Sequence, residues 1–193
     1  MTEVPAPSAP RELARYGAVA QLAHWLTALL LVGVFTLGFY MVDLKISPTK
    51  LKLFAYHKWL GVSLFVLIGL RLSWRLWHPP PALPATVSPL ARRAAEVTHR
   101  LLYLLVFLVP LSGWLMSSAK GFQTVLFGAL PIPDLLGKDA ALGAALEQVH
   151  WALNKMLLAT IALHVAAALK HAIVDRDGVL QRMLPRLKGR SVR

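Results

Sequence analysis

The sequence contains no cysteine among its 193 residues. That absence excludes disulfides, thiolate nucleophiles, iron–sulfur clusters and a haem attached through Cys-x-x-Cys-His. Charge is also scarce, at 16% of residues, where a water-soluble fold carries about 25%. Acids are scarcer still: 9 Asp+Glu stand against 21 Lys+Arg, giving +12 with the seven histidines neutral. What is abundant is apolar, 56% of residues, with a mean hydropathy of +0.56. Most of the surface must therefore face something other than water. The composition is that of an integral membrane protein whose partner is the lipid bilayer, and no nucleic-acid partner is expected.

Four apolar stretches carry this character: about 17–40, 53–77, 97–118 and 146–173. A hydrocarbon core of about 30 Å needs about 20 helical residues, and each stretch is long enough. Their length and lack of alternation exclude transmembrane strands. Backbone groups in lipid must bond within their own segment, so the expected fold is all-α: an antiparallel bundle of four transmembrane helices in one domain. Met1–Arg15 is polar and Pro-rich without an apolar centre, so no cleavable signal is expected there. His78–Pro89 reads as a Pro-rich loop, and Pro131, Pro133 and Gly137 mark a longer, partly ordered connection before the fourth span. Both tails are basic and are expected to be poorly ordered.

The cations divide by side. All arginines lie in the N-terminal tail, around the second-to-third connection, or in the C-terminal tail. Four spans place those regions together, and the excess of Lys/Arg on cytoplasmic segments makes that side the inside, with both termini cytoplasmic. The other side holds Lys45, Lys50, Lys52, Lys58, Lys120, Lys138 and Lys155 against Asp43, Asp134, Asp139 and Glu147, or 7 − 4 = +3. A positive outer face attracts anions; the competing reading is lysines snorkelling to lipid phosphates.

Histidines carry the chemistry. Ionisable residues are costly inside a membrane and are read first as functional. His24 and His164 fall near the inner ends of spans one and four, and His57 and His150 near the outer ends of spans two and four. Fourteen residues from His150 to His164 make about 21 Å of rise and return to within about 40° of the same face. Two cross-bundle imidazole pairs result, each suited to a flat iron macrocycle closed to other ligands. The same offset takes His24 to Gly38 and His99 to Gly113, leaving space at the outer level, and takes His57 to Arg71, a cation for a haem propionate at the inner level. A zinc or di-metal site competes, but the helices lack the usual carboxylates. A proton relay through the histidines is the other alternative. His99 and His171 remain on the inner side. With Arg71 or Arg75 they would suit a quinone head group, or else simply bond to backbone carbonyls.

The text AHWL around His24, YHKWLG around His57, THRLLYLL around His99 and VHWALNKMLLATIALHVAAALKH over Val149–His171 resembles the bacterial cytochrome b561 family. The resemblance runs from about Arg15 to Pro185 and includes the closing MLP at Met183–Pro185. Within that family a short free-standing chain looks most like the superoxide oxidase type. The resemblance implies a di-haem b protein of the bacterial inner membrane, with His24 and His164 on one haem iron and His57 and His150 on the other. It further implies superoxide as the periplasmic electron donor and ubiquinone as the acceptor near the cytoplasmic side, with His99 and His171 in the polar inner pocket.

The expectation is thus a transmembrane oxidoreductase, superoxide to quinone, requiring no dedicated protein partner. Lys58, beside His57, and Lys155, near His150, are the outer cations expected to draw in the anion. The alternative is a cytochrome b subunit that anchors a periplasmic redox enzyme and relays its electrons to quinone. A haem-free membrane protein, such as a transporter subunit, is a third reading, and it predicts colourless material.

Overall fold

The computed structural model describes residues 14–84 and 86–185. The outer parts of both basic tails, with Arg11, Arg186, Arg190 and Arg193, lie outside the described residues. The chain forms four long helices: α1 (Ala18–Val42), α2 (Pro48–Trp77), α3 (Pro89–Ala119) and α4 (Ala140–Lys170). All four are long and apolar enough to cross a membrane.

Three of the helices begin well before their apolar stretches, because capping rather than hydropathy decides where a helix starts. Ser47 accepts from the Lys50 N–H ahead of Pro48, and Ser88 accepts from the Ala91 N–H ahead of Pro89. Asp139 accepts from the Leu142 N–H at 3.0 Å. A side-chain oxygen satisfies an otherwise unpaired helix donor, and proline at the first position has none to satisfy. Pro89 is therefore the first residue of α3 rather than the last of the loop.

Successive helices pack against one another, α1 on α2, α2 on α3 and α3 on α4, while among the described residues α4 makes no comparable backbone approach to α1 or α2. The core is Leu64 and Ile68 of α2, Leu105, Val106 and Val109 of α3, and Leu157 of α4, with Leu30, Leu31 and Phe35 of α1 against it. Its level is set by register. Leu31, Leu64 and Val106 each lie seven residues after a histidine, at 24, 57 and 99. Leu157 lies midway between His150 and His164. Seven residues are two turns and about 10 Å, so an apolar layer separates the level of His24, His99 and His164, called inner after the orientation expected from the cations, from that of His57 and His150, called outer.

Between α3 and α4 lies a small hairpin, β1 (Val125–Leu126) antiparallel to β2 (Leu130–Pro131). Trp59 of α2 donates to the Val125 carbonyl at 2.7 Å and Trp114 of α3 to the Pro133 carbonyl at 3.0 Å, fastening this connection over the outer end.

At the inner end the chain termini are knotted together as far as they are described. Arg182 is 2% exposed. Its Nε donates to the Ala14 carbonyl at 2.7 Å, and an Nη donates to those of Pro81 and Ala82, each at 2.9 Å. Its own carbonyl accepts from Gln21 and from the Tyr16 N–H. Trp25 bonds the Met183 carbonyl at 2.9 Å. One buried guanidinium thus ties the start of α1, the α2–α3 loop and the segment after α4. Hydrogen bonds to a charged group contribute about 1.5–3 kcal/mol each, less than additively. Arg182→Ala should therefore lower stability by about 2–4 kcal/mol in denaturant titration of the detergent-solubilised protein. Arg182→Lys should recover little, because an ammonium cannot reproduce the planar fork.

Candidate functional site

At the outer level, His57 of α2 leans on α1 and His150 of α4 leans on α3. The Nδ1 of His57 is 3.1 Å from the Val34 carbonyl, and that of His150 is 3.1 Å from the Val109 carbonyl. A carbonyl only accepts, so each ring carries its proton on Nδ1, and Nε2 is left with the lone pair a metal requires. Val34 and Val109 each sit one turn before a glycine, Gly38 and Gly113. A Cβ on Gly38 would stand 3.3 Å from His57 Cε1, and one on Gly113 would stand 3.0 Å from His150 Cε1. The glycines thus make room for the imidazole edges themselves, where the sequence suggested room for a macrocycle.

His150 has an additional partner. Ser112, 5% exposed, donates to the Val109 carbonyl at 2.8 Å, and its oxygen accepts from His150 Nδ1 at 2.9 Å. Sequence reasoning passed over Ser112; a serine beside a glycine, one turn past a carbonyl at histidine depth, was the available signal.

At the inner level three imidazoles converge. His24 of α1 and His164 of α4 have ring centroids 6.3 Å apart, and His99 of α3 lies 5.2 Å from His164. Two metal–nitrogen bonds of about 2 Å, plus a little over 1 Å from each nitrogen to its ring centre, require about 6 Å. The His24–His164 separation fits an intervening metal, and the His99–His164 separation is short for one. Arg71 of α2 reaches the same level, where its Nη donates to His24 Nδ1 at 3.0 Å; in this arrangement the His24 proton sits on Nε2, and Arg71 must turn away before that nitrogen can bind a metal. Arg71 and Arg75 both stand 5.3 Å over the ring of Tyr103, a further residue that the sequence did not flag.

His171 is placed apart from this group by hydrogen bonding. Its Nδ1 is 2.6 Å from Asp177 Oδ2 and 3.2 Å from Asp175 Oδ2. His78 stacks on Trp74, with centroids 3.8 Å apart, as a loop residue.

At the other end of the bundle, the half-buried Lys58 directs its ammonium at Ser117 Oγ (3.3 Å) and the carbonyls of Phe122 (3.0 Å) and Gln123 (3.3 Å). Lys155 lies 5.3 Å over the Trp151 ring. Among the described residues neither lysine forms a salt bridge with a carboxylate.

A bundle of apolar helices carrying histidines at two levels has the make-up of a membrane-embedded electron-transfer cytochrome. The model of prokaryotic cytochrome b561 matches residues 15–186, and the chain belongs to that family. It is 35% identical over 171 residues to "Cytochrome b561 homolog 2" of Escherichia coli (strain K12), covering 88% of this chain and 91% of that one. It is 29% identical over 168 residues to "Probable superoxide oxidase CybB" of Yersinia pestis, covering 82% and 95%. "Cytochrome b561 homolog 1" of Escherichia coli (strain K12) is 25% identical over 169 residues, covering 86% and 94%. The family binds b-type haem and carries out electron transfer in the membrane.

Gly→Ala inside an unobstructed helix stabilises by about 1 kcal/mol. Gly69, with nothing within 4 Å of an added Cβ, should behave this way. Gly113→Ala should instead reduce bound haem, because His150 is held by two partners and cannot yield. Gly38→Ala should do so less. Pyridine-haemochrome assay of the three variants checks the order.

Proposed function

We propose that this chain is a superoxide:ubiquinone oxidoreductase of the bacterial inner membrane, with both termini cytoplasmic and two b haems. His24 and His164 hold the inner haem; His57 and His150 hold the outer one. Haem b would supply reversible one-electron exchange, with these four histidines as the groups that would hold it. The observation that carries the reading is the pair of histidine levels, two turns above and two turns below the same apolar layer.

The chain's own groups have separable tasks. The carbonyls of Val34 and Val109 fix the tautomer and tilt of the outer imidazoles. Arg71, at the level of His24, would leave His24 Nδ1 to serve as the cation for an inner propionate. Lys58 and Lys155 keep the outer end positive and raise the encounter rate of a small anion. Because all three Lys58 contacts are protein acceptors, it acts on superoxide through charge and not through a direct bond. On the inner side His99, Arg75 and His171 supply donors for quinone oxygens. Two superoxide anions lose one electron each and leave as dioxygen. Ubiquinone gains both electrons, and two protons from the inner water complete ubiquinol. The name of the Yersinia pestis relative supports superoxide as the donor. The positive outer face supports it independently.

Superoxide generated beside the purified protein should yield one ubiquinol for every two superoxide consumed. Ubiquinol formed only with a protein donor would favour the anchor-subunit reading instead. Replacing His24 or His164 by Ala should remove one haem, and replacing His57 or His150 the other, in reduced-minus-oxidised spectra with haem quantified per chain. Loss of a haem by a mutation assigned to its counterpart would show that the pairing is wrong.

A further inference from the structure

The inner end of α4 does not stop at its last turn. The chain passes through a π-helical segment, His171–Asp175. Arg176 then takes φ 50° and Gly178 φ 77°. A bulky residue at positive φ is uncommon and persists only where its surroundings impose it. Here the reversal brings Asp177 back beneath the helix. Its Oδ2 accepts from His171 Nδ1 at 2.6 Å, its Oδ1 accepts the Val179 N–H at 3.1 Å, and its side chain is 8% exposed.

The neighbouring carboxylate has a different allegiance. Asp175 lies 3.2 Å from the same ring nitrogen, but Lys170 Nζ contacts both its oxygens, at 2.8 and 2.6 Å. Among the described residues no lysine or arginine pairs with Asp177. His171, Asp175 and Asp177 bring one ligand atom each within 4.8 Å of one another. Lys170 already balances Asp175, however, which leaves the group short of the anionic oxygens that a hard cation needs.

A buried carboxylate on one nitrogen of an imidazole fixes its tautomer and orientation, and presents the other nitrogen for work. His171 lies seven residues past His164, so it is on nearly the same face and about 10 Å closer to the inner water. We propose that Asp177 is a positioning residue for proton delivery to the quinone. It holds the proton on His171 Nδ1 and balances the ring when Nε2 is also protonated. As the quinone takes electrons from the relay, the Nε2–H bond breaks and an O–H bond forms on a quinone oxygen. Inner water then recharges the ring for the second proton. Two electrons and two protons convert the quinone to quinol, and Asp177 itself is unchanged. The proposal rests on the quinone reading above.

The test uses the full-length holoprotein, with superoxide as donor and ubiquinone as acceptor. Asp177→Asn should retain both haems and the wild-type rate of haem reduction, while ubiquinol turnover falls by about 10–100-fold, the range for losing a partner that orients a working histidine. The KM for ubiquinone should change little. Asp177→Ala should be as slow, and added formate, which returns a carboxylate to the vacated space, should restore turnover severalfold. Asp175→Asn should remain within about twofold of wild type. Wild-type turnover in Asp177→Asn, or an Asp177→Ala defect that formate does not relieve, overturns the proposal. Haem loss in both Asp177 variants would make the residue a folding determinant and overturns it equally. If the wild-type protein makes no ubiquinol, the quinone reading itself fails, and that is seen before any variant is compared.

Discussion

An imidazole N–H inside a bilayer has no water to donate to, and this requirement fixes where the helices of this protein meet. Every helical carbonyl between the ends of a span already serves its own helix. A second donor can share it only by coming very close to the backbone. Glycine permits that approach, and so α2 touches α1 where His57 passes Gly38, and α4 touches α3 where His150 passes Gly113. The bond settles two things together: the contact of the two helices at this level and the proton's place on Nδ1, which leaves the Nε2 lone pair open. Among the described residues no buried side-chain nitrogen or oxygen is left without a partner, which is what a low-dielectric setting demands.

The two ends of the bundle treat charge differently. At the end that gathers the segments flanking α1 and α4, arginines are organised: Arg182 ties three segments through carbonyls, and Arg71 and Arg75 converge on Tyr103. At the opposite end, lysines serve as local fasteners. Lys50 bonds the carbonyls of Val42 and Leu44 at the end of α1, and Lys120 pairs with Glu147 at 2.7 Å. This division follows from side-chain chemistry. A guanidinium spreads its donors in a plane and satisfies several fixed acceptors at once, whereas an ammonium is a compact charge on a flexible stem.

Much of the architecture was legible in the residue text because its signals are periodic. Apolar length gives the spans, and the 14-residue offset between His150 and His164 gives two levels on one face. The same arithmetic, applied to His24, His57 and His99, finds Gly38, Arg71 and Gly113. The helix starts were also written, at Ser47–Pro48, Ser88–Pro89 and Asp139, but as caps, which hydropathy does not register. The Arg182 knot was not legible. Its acceptors are backbone carbonyls 100 or more positions away in sequence, and a carbonyl has no letter. The segment through Pro185, expected to be loose with the rest of the tail, is ordered for that reason. The Asp177–His171 bond was hidden differently: a separation of six suits neither helix nor strand, and it needs a left-handed arginine that no propensity rule would place. Ser112 was hidden by its plainness, since a membrane serine more often bonds its own helix, and this one does that as well.

The six side chains of the central core contain no polar atom. Such a slab is an insulator: a proton has nothing to step onto there, and a hydrated ion would have to shed its shell to enter. An electron can tunnel across a gap of this kind while its counter-charge stays behind. Any such crossing therefore works with or against the voltage over the membrane, which weighs about 2.3 kcal/mol per elementary charge for each 100 mV. A polar residue in place of Leu64 or Leu157 would do more than loosen the packing. It would place a polar group, which must find a partner, in the middle of that barrier.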